Sequence, residues 1–235
     1  MSSIAEWTQS WAKNAGLNTE FFRTVDSTNT AAKAAPKTGK FLFVTDHQTA
    51  GRGRGSNTWT DAAPGTCLLS SWCFELRSSV QPIASPLIGL ALYEAVEAVW
   101  PGLDWSVKAP NDLYLMDKKV AGLLLESVSS GSNHRFIVGL GLNVLAHPDV
   151  ASSGHLGEFV KSDVTQSDWN AFLTYWSDQL DKALERVIQP QLNFESTTKL
   201  LVALNRYPGL DRKYDEVLAD GSLRIGQKQI PWTSL

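Results

Sequence analysis

Between Trp105 and Val144 the chain passes through apolar, extended stretches separated by turns too short to hold a helix. Trp105 to Lys108 precedes a turn at Pro110-Asn111-Asp112. Leu113 to Met116 follows, then the two-residue connection Asp117-Lys118, then Lys119 to Val128. Stretches joined this tightly pair with their immediate neighbours in opposite directions, so the block predicts an antiparallel meander. Arg135 to Val144 adds a further strand carrying Gly139 and Gly141. Glycine weakens a strand interior, so this pair predicts close approach by a ligand or another backbone.

Around the meander the apolar spacing alternates between strand and helix. Phe21 to Val25, Phe41 to Val44 and Cys67 to Phe74 read as strands. Ile4, Trp7 and Trp11 fall at helical spacing. A second helix is expected after Ser85 as cap and Pro86 in its first turn, ending near Pro101-Gly102. The run Trp169, Phe172, Leu173, Trp176, Leu180, Leu184, Val187 predicts a long amphipathic helix, and Asn193 to Leu204 a shorter one. Tyr214 to Leu218 and Ser222 to Ile225, joined at Asp220-Gly221, predict a small β appendage. With 235 residues, 43% of them hydrophobic, the chain can bury one substantial core and a small addition.

The chemistry is expected at Thr45 to Trp59, where Gly51, Arg52, Gly53, Arg54 and Gly55 alternate. This pattern has neither period and cannot pack on a core. Glycines turn backbone N–H groups toward a ligand, and guanidiniums are forked donors for carboxylate or phosphate, so the loop predicts anion binding. The net charge of −3 and pI near 5.8 argue against a chain that coats nucleic acid. Cys67 and Cys73 lie too far apart along one strand to pair, and no zinc-type Cys/His spacing is present, so no metal site is expected. His47, His134, His147 and His155 read as loop residues. No secretory signal or membrane span is evident, which together with the unpaired cysteines predicts a cytoplasmic protein. Asp26-Ser27-Thr28-Asn29 precedes an Ala-rich stretch and predicts a helix N-cap that also faces a ligand.

Taken together these segments resemble the biotin–protein ligases. Asp26 to Asn29 is similar to that family's opening motif, and Gln48 to Arg54 to its adenylate-binding loop. Lys108 with Pro110-Asn111-Asp112-Leu113 is similar to its lysine-containing turn. Lys119, Ala121, Gly122 and Glu126 match the next strand, and Gly139, Gly141 and Asn143 the Gly-x-Gly-hydrophobic-Asn strand. The likeness runs from about Phe22 to Val144. Three departures stand out. Ala109 occupies a position where the family has Trp, Ser56 one where it has the loop's last glycine, and the C-terminal β domain is abbreviated.

The resemblance implies an α+β fold, a mixed sheet flanked by helices of the class II aminoacyl-tRNA-synthetase-like or biotin–lipoyl ligase type. It implies a catalytic domain over 1–205 and a reduced SH3-like β domain over 206–235. It implies activation of biotin by ATP, with Mg²⁺ as counter-ion, to biotinyl-5'-AMP. Transfer then follows to a lysine of a biotin carboxyl carrier domain of an acyl-CoA or pyruvate carboxylase. No tightly bound prosthetic group, DNA or membrane partner is expected, and the protein is expected as monomer or homodimer. Arg52, Arg54, Lys108 and Asp112 are the implied catalytic residues. Ser27, Thr28, Asn29, Gln48, Gly51, Arg52, Gly53, Lys108, Gly122, Gly139 and Gly141 would line the substrate. Arg52, Arg54, Trp59, Lys108, Asn111, Lys119 and Asn143 would contact nucleotide. The Gly/Arg loop, lacking an apolar anchor before Trp59, is expected to be mobile until the adenylate orders it. The rival reading is a lipoate or octanoate ligase or transferase of related fold.

Overall fold

The structure, a computed structural model, describes residues 2–35, 39–130 and 133–235. Its first elements are α1 (Ile4–Asn14), β1 (Asn18–Phe22), α2 (Thr28–Ala34), β2 (Phe41–Thr45), β3 (Cys67–Leu76) and α3 (Ala84–Val99). The meander supplies β4 (Trp105–Lys108), β5 (Asp112–Leu115), β6 (Lys118–Ser130) and β7 (Asn133–Asn143). Then come α4 (Gln166–Leu184), α5 (Phe194–Asn205), β8 (Glu216–Val217), β9 (Leu223–Ile225) and β10 (Lys228–Ile230). The chain packs as two compact units, Met1–Ser79 with Val120–Leu173, and Val80–Lys119 with Thr174–Leu235. Packing therefore divides the chain at places other than residue 205, because the segment from α3 to β5 associates with the C-terminal helices.

In the first unit β1 runs parallel to β2, β2 antiparallel to β3, β3 antiparallel to β7, and β7 antiparallel to β6. The centre of this mixed sheet is β3, buried from Cys67 to Phe74. Strand residues alternate between faces, and β3 uses both. Trp72, fully buried, meets Trp11 of α1 with ring centroids 5.9 Å apart. Cys73, on the opposite face, packs with Phe41, Phe43, Ile137 and Ala32 of α2. Burial pushes the Cys73 thiol up to about 12, and both cysteines are free, as their spacing requires.

A capping box starts α1, with Ser3 Oγ accepting from Glu6 N and Glu6 returning the bond to Ser3 N. Its buried stripe holds one polar residue, Thr8, whose hydroxyl donates to the Ile4 carbonyl (2.7 Å) and accepts from Trp169 Nε1 (2.9 Å). Two buried polar groups thus satisfy each other.

In the second unit β4 and β5 pair as the expected hairpin, Trp105 opposite Leu115 and Lys108 opposite Asp112. The start of α3 differs from the expectation. The helix begins one residue before Ser85, with Ile83 as its N-cap, and Ser85 Oγ instead donates to the Pro110 carbonyl (3.0 Å). Trp232 Nε1 donates to that same carbonyl and to Ser85 Oγ, each at 3.0 Å. The tail is a three-stranded sheet in the order β10-β9-β8, one strand more than the turn at Asp220-Gly221 alone predicts. Among the described residues no helix is long and apolar enough to cross a membrane.

Candidate active site

The face of the first unit's sheet that carries α2 gathers most of the expected site residues. Ser71 of β3 lies opposite Gly139 of β7, and Gly139 opposite Leu124 of β6. Two positions along, Gly141 lies opposite Gly122. The start of α2 sits over this row. A Cβ at residue 139 would stand 2.4 Å from Asn29 Oδ1, so only glycine lets Asn29 descend onto the strand. At residue 141 a Cβ would stand 2.6 Å from the Trp59 ring. The close approach at the two glycines is made by the side chains of Asn29 and Trp59, rather than by the ligand or neighbouring backbone that the strand alone suggests.

Ser27, Thr28 and Asn29 are all buried, yet they do not cap α2. Ser27 is the N-cap residue and makes no side-chain cap bond. The polar side chains form a row across the sheet instead. Ser71 Oγ donates to Asn29 Oδ1 and lies 2.8 Å from Thr28 Oγ1. Gln48 Oε1 accepts from Thr28 N (2.8 Å) and Thr28 Oγ1 (3.3 Å). Gln48 is itself placed by its backbone N–H, which donates to Asp61 Oδ2 at 2.6 Å. Burial raises the Asp61 carboxyl above the usual aspartate range, although the Gln48 N–H and His47 pull the other way.

The Gly/Arg loop folds back on itself. Trp59 N donates to Gly51 O (3.0 Å) and Gly53 N to Asn57 O (2.8 Å), with Arg52 bridged to Thr58. Its anchor is polar. Arg52 forks onto Glu126 of β6, Nη1 to Oε2 at 3.2 Å and Nη2 to Oε1 at 3.1 Å. Glu126 also takes Lys33 (2.6 Å) and Asn29 Nδ2 (2.9 Å). Burial alone would raise the Glu126 carboxyl, but Lys33, Asn29 and Arg52 outweigh it and hold it below the usual range. Arg54, with residues 55 to 58, is exposed at the hairpin's tip.

Asn143, at the end of β7, is buried with both halves of its amide engaged in the fold. Nδ2 donates to Gly154 O at 3.0 Å, and Cys67 Sγ approaches Oδ1 at 3.5 Å. The remaining expected residues belong to the second unit. Lys108 Nζ lies 5.5 Å from the ring centres of both Tyr114 and Tyr207. Burial lowers its pKa, but the two phenols outweigh that effect and raise it, so Lys108 is a standing cation. Asp112 is paired with Lys119 Nζ at 2.6 Å, and Asn111 lies in the turn between Lys108 and Asp112.

Residues 21–143 match the family model described as biotin/lipoate A/B protein ligase. The chain belongs to that family. It is 39% identical over 109 residues to biotin–protein ligase 1, chloroplastic, of Arabidopsis thaliana, which is 44% of this chain and 29% of that protein. It is 37% identical over 134 residues to the biotin–[acetyl-CoA-carboxylase] ligase of Paracoccus denitrificans, covering 54% and 55% of the two. The chain thus spans less than two thirds of the length of these relatives. The solved biotin protein ligase from Aquifex aeolicus, in complex with biotin and ATP, superposes with a TM-score of 0.70 at 26% identity. That likeness covers 91% of this chain and 95% of that one. The family's α+β fold, a mixed sheet flanked by helices, is the fold of this chain.

Three residues that shape the site in this family member escape a reading by motif. Ser71 and Lys33 stand in an apolar strand and an Ala-rich helix, and Asp61 in a loop. Only for Ser71 is there a local signal, the Ser70-Ser71 pair inside a run that otherwise reads as core. His134 lies on β7 rather than in a loop, its Nδ1 3.0 Å from Ser129 Oγ.

Proposed function

We propose that this protein is an ATP-dependent biotin–protein ligase. A biotin carboxylate oxygen attacks the α-phosphorus of ATP, the bond to the β-phosphate oxygen breaks, and pyrophosphate leaves. A carrier lysine then attacks the acyl carbon of biotinyl-5'-AMP, the bond to the phosphate oxygen breaks, and AMP departs. Mg²⁺ accompanies ATP as counter-ion in the first step.

What supports this reading is the row of the buried Ser71, Thr28 and Asn29 with the half-buried Gln48, beside Arg52. A ureido ring presents both donors and acceptors, and a row of this composition answers both. A lipoyl or octanoyl chain would favour an apolar tunnel. Ser27, Gly51, Gly53 and Gly122 complete the proposed substrate lining. Arg52 is held by a carboxylate that a substrate carboxylate or phosphate can replace, so its guanidinium is oriented before substrate arrives. Trp59, Arg54, Asn111 and Lys119 are assigned to the nucleotide.

Lys108, cationic at neutral pH, offsets charge that develops on the α-phosphate. Asp112 serves the second step by exchanging the Lys119 ammonium for that of the carrier lysine, orienting it and accepting its proton as the amine attacks the acyl carbon. Because both amide halves of Asn143 are engaged in the fold, its part in the nucleotide site is to hold the end of β7.

The test is acylation of a purified apo biotin carrier domain in the presence of ATP and Mg²⁺, read by intact-protein mass spectrometry. The expected product carries one biotinyl group and persists in excess lipoate and octanoate. A lipoyl or octanoyl adduct formed in preference to biotinyl would overturn the assignment.

A further inference from the structure

Beyond β7 the chain makes a compact turn that the ligase reaction does not use. Asn143 Nδ2 holds Gly154 O, and Gly157 N donates to Val144 O at 2.9 Å, closing the segment 144 to 158 onto the strand end. A short 3-10 turn, Leu156–Glu158, anchors it through the fully buried Leu156. This closure brings His147, His155 and Glu158 together, with their ligating atoms all within 4.8 Å of one another.

The three groups aim at a common point. His147 Nδ1 lies 2.9 Å from the Pro148 carbonyl, which can only accept, so that nitrogen carries the proton and Nε2 is left as the ligand atom. That Nε2 lies 2.8 Å from Glu158 Oε1, and His155 Nδ1 lies 3.0 Å from the same oxygen. A backbone carbonyl orienting the far nitrogen of an imidazole is the usual support of a metal-binding histidine. Ring packing fits too. The imidazole centroids are 5.3 Å apart, and a Cβ at Gly157 would crowd His155 Cδ2 at 3.2 Å. His155 and Glu158 share one side of the 3-10 turn at a spacing of three residues.

We propose that His147, His155 and Glu158 form a binding site for a divalent transition metal of the zinc class, with water in the remaining position. Two imidazoles and one carboxylate are borderline donors that suit Zn²⁺ or Co²⁺, whereas Mg²⁺ takes oxygen ligands. Ligand atoms around a tetrahedral zinc stand roughly 3.3 Å apart, given bonds of about 2.0 to 2.1 Å. Opening the two pairs to Glu158 by a few tenths of an ångström, with the two imidazole nitrogens, within 4.8 Å of each other, turning to the same spacing, would admit the ion. Its role is to staple the turn that holds Asn143. The site is separate from the counter-ion of ATP and stands or falls independently of the proposed reaction.

The experiment uses the full chain stripped with a chelator and then titrated with ZnCl₂ or CoCl₂ in the absence of nucleotide. Bound metal is quantified by elemental mass spectrometry, Co²⁺ by its visible absorption, and stability by thermal melting. The expected result is one ion per chain, an intensified visible Co²⁺ spectrum of low-symmetry coordination, and a rise in melting temperature with Zn²⁺. His147→Gln, at a half-buried position, and Glu158→Gln, at an exposed one, both of which tolerate an amide, weaken binding by more than about tenfold. A Co²⁺ spectrum in the native chain that stays that of the hydrated ion overturns the proposal. So does equal Zn²⁺ binding by the native chain and the His147→Gln/His155→Gln/Glu158→Gln variant.

Discussion

Glu126 is the residue on which the polar side of the site turns, since Arg52, Lys33 and Asn29 all reach it. Its folded pKa is depressed, so the stability it contributes is present above the ordinary glutamate range. That stability is lost as pH falls through the folded value. Glu126→Gln should therefore lower the melting temperature near neutrality and flatten the decline of stability on acidification. A melting profile against pH checks this, and a variant profile parallel to the native one would contradict it. Gly141→Ala tests the opposite kind of constraint. The added methyl meets the Trp59 ring, which must move, and a loss of roughly 1 to 3 kcal/mol in urea unfolding is expected. A change in Trp59 fluorescence should accompany it. Gly139 and Gly141 are legible as close-approach positions from the strand alone, because nothing local justifies glycine there. What approaches them is not legible, since Asn29 and Trp59 lie far away in sequence.

At the scale of elements, the β4–β5 hairpin is readable because its three-residue turn leaves each strand its neighbour as partner. Cap assignments fared worse. Ser27 and Ser85 both look like helix caps; Ser27 takes the N-cap position of α2 without a side-chain cap bond, and Ser85 is not the cap of α3. A serine hydroxyl is equally satisfied by a distant carbonyl, and the spacing that suggests a cap cannot distinguish the two. Ser85 instead joins the start of α3 to the Pro110 turn and to Trp232. Trp232→Phe keeps the apolar contact and removes the indole donor, so a loss of about 1 kcal/mol is expected in denaturant unfolding. The same change should also lower the rate of the step proposed to depend on Lys108, which ends the strand leading into that turn. Unchanged stability would mean that water replaces the indole. The Gly/Arg loop offers no apolar anchor in its sequence before Trp59, whose ring packs at Gly141. It is held by Arg52 on Glu126, a tie that a bound anion can exchange. Limited proteolysis at residues 54–58 should therefore slow when biotin and ATP are both present, and equal cleavage with and without them would contradict the proposed ordering.

For the whole molecule, membership in the biotin/lipoate A/B protein ligase family rests on residues 21–143, most of which build the first unit and the β4–β5 hairpin. The rest is where sequence and packing diverge. The tail reads as an abbreviated β domain, yet residues 174–235 pack in one unit with α3, β4 and β5. That association rests on aromatic and polar contacts such as Tyr114 with Tyr207 and Arg206 with Glu97, which have no local periodicity. The central proposal is chemical: the Arg52 guanidinium, held by Glu126, and the Lys108 ammonium are each assigned to offset charge as a carboxylate attacks ATP. The direct measurement is to mix the protein with biotin, ATP and Mg²⁺ and to follow biotinyl-5'-AMP by mass spectrometry against time. The native chain should form it, and Lys108→Ala should form it slower by a factor of about a hundred to a thousand. No biotinyl-5'-AMP from the native chain, or an undiminished rate from Lys108→Ala, would contradict the account.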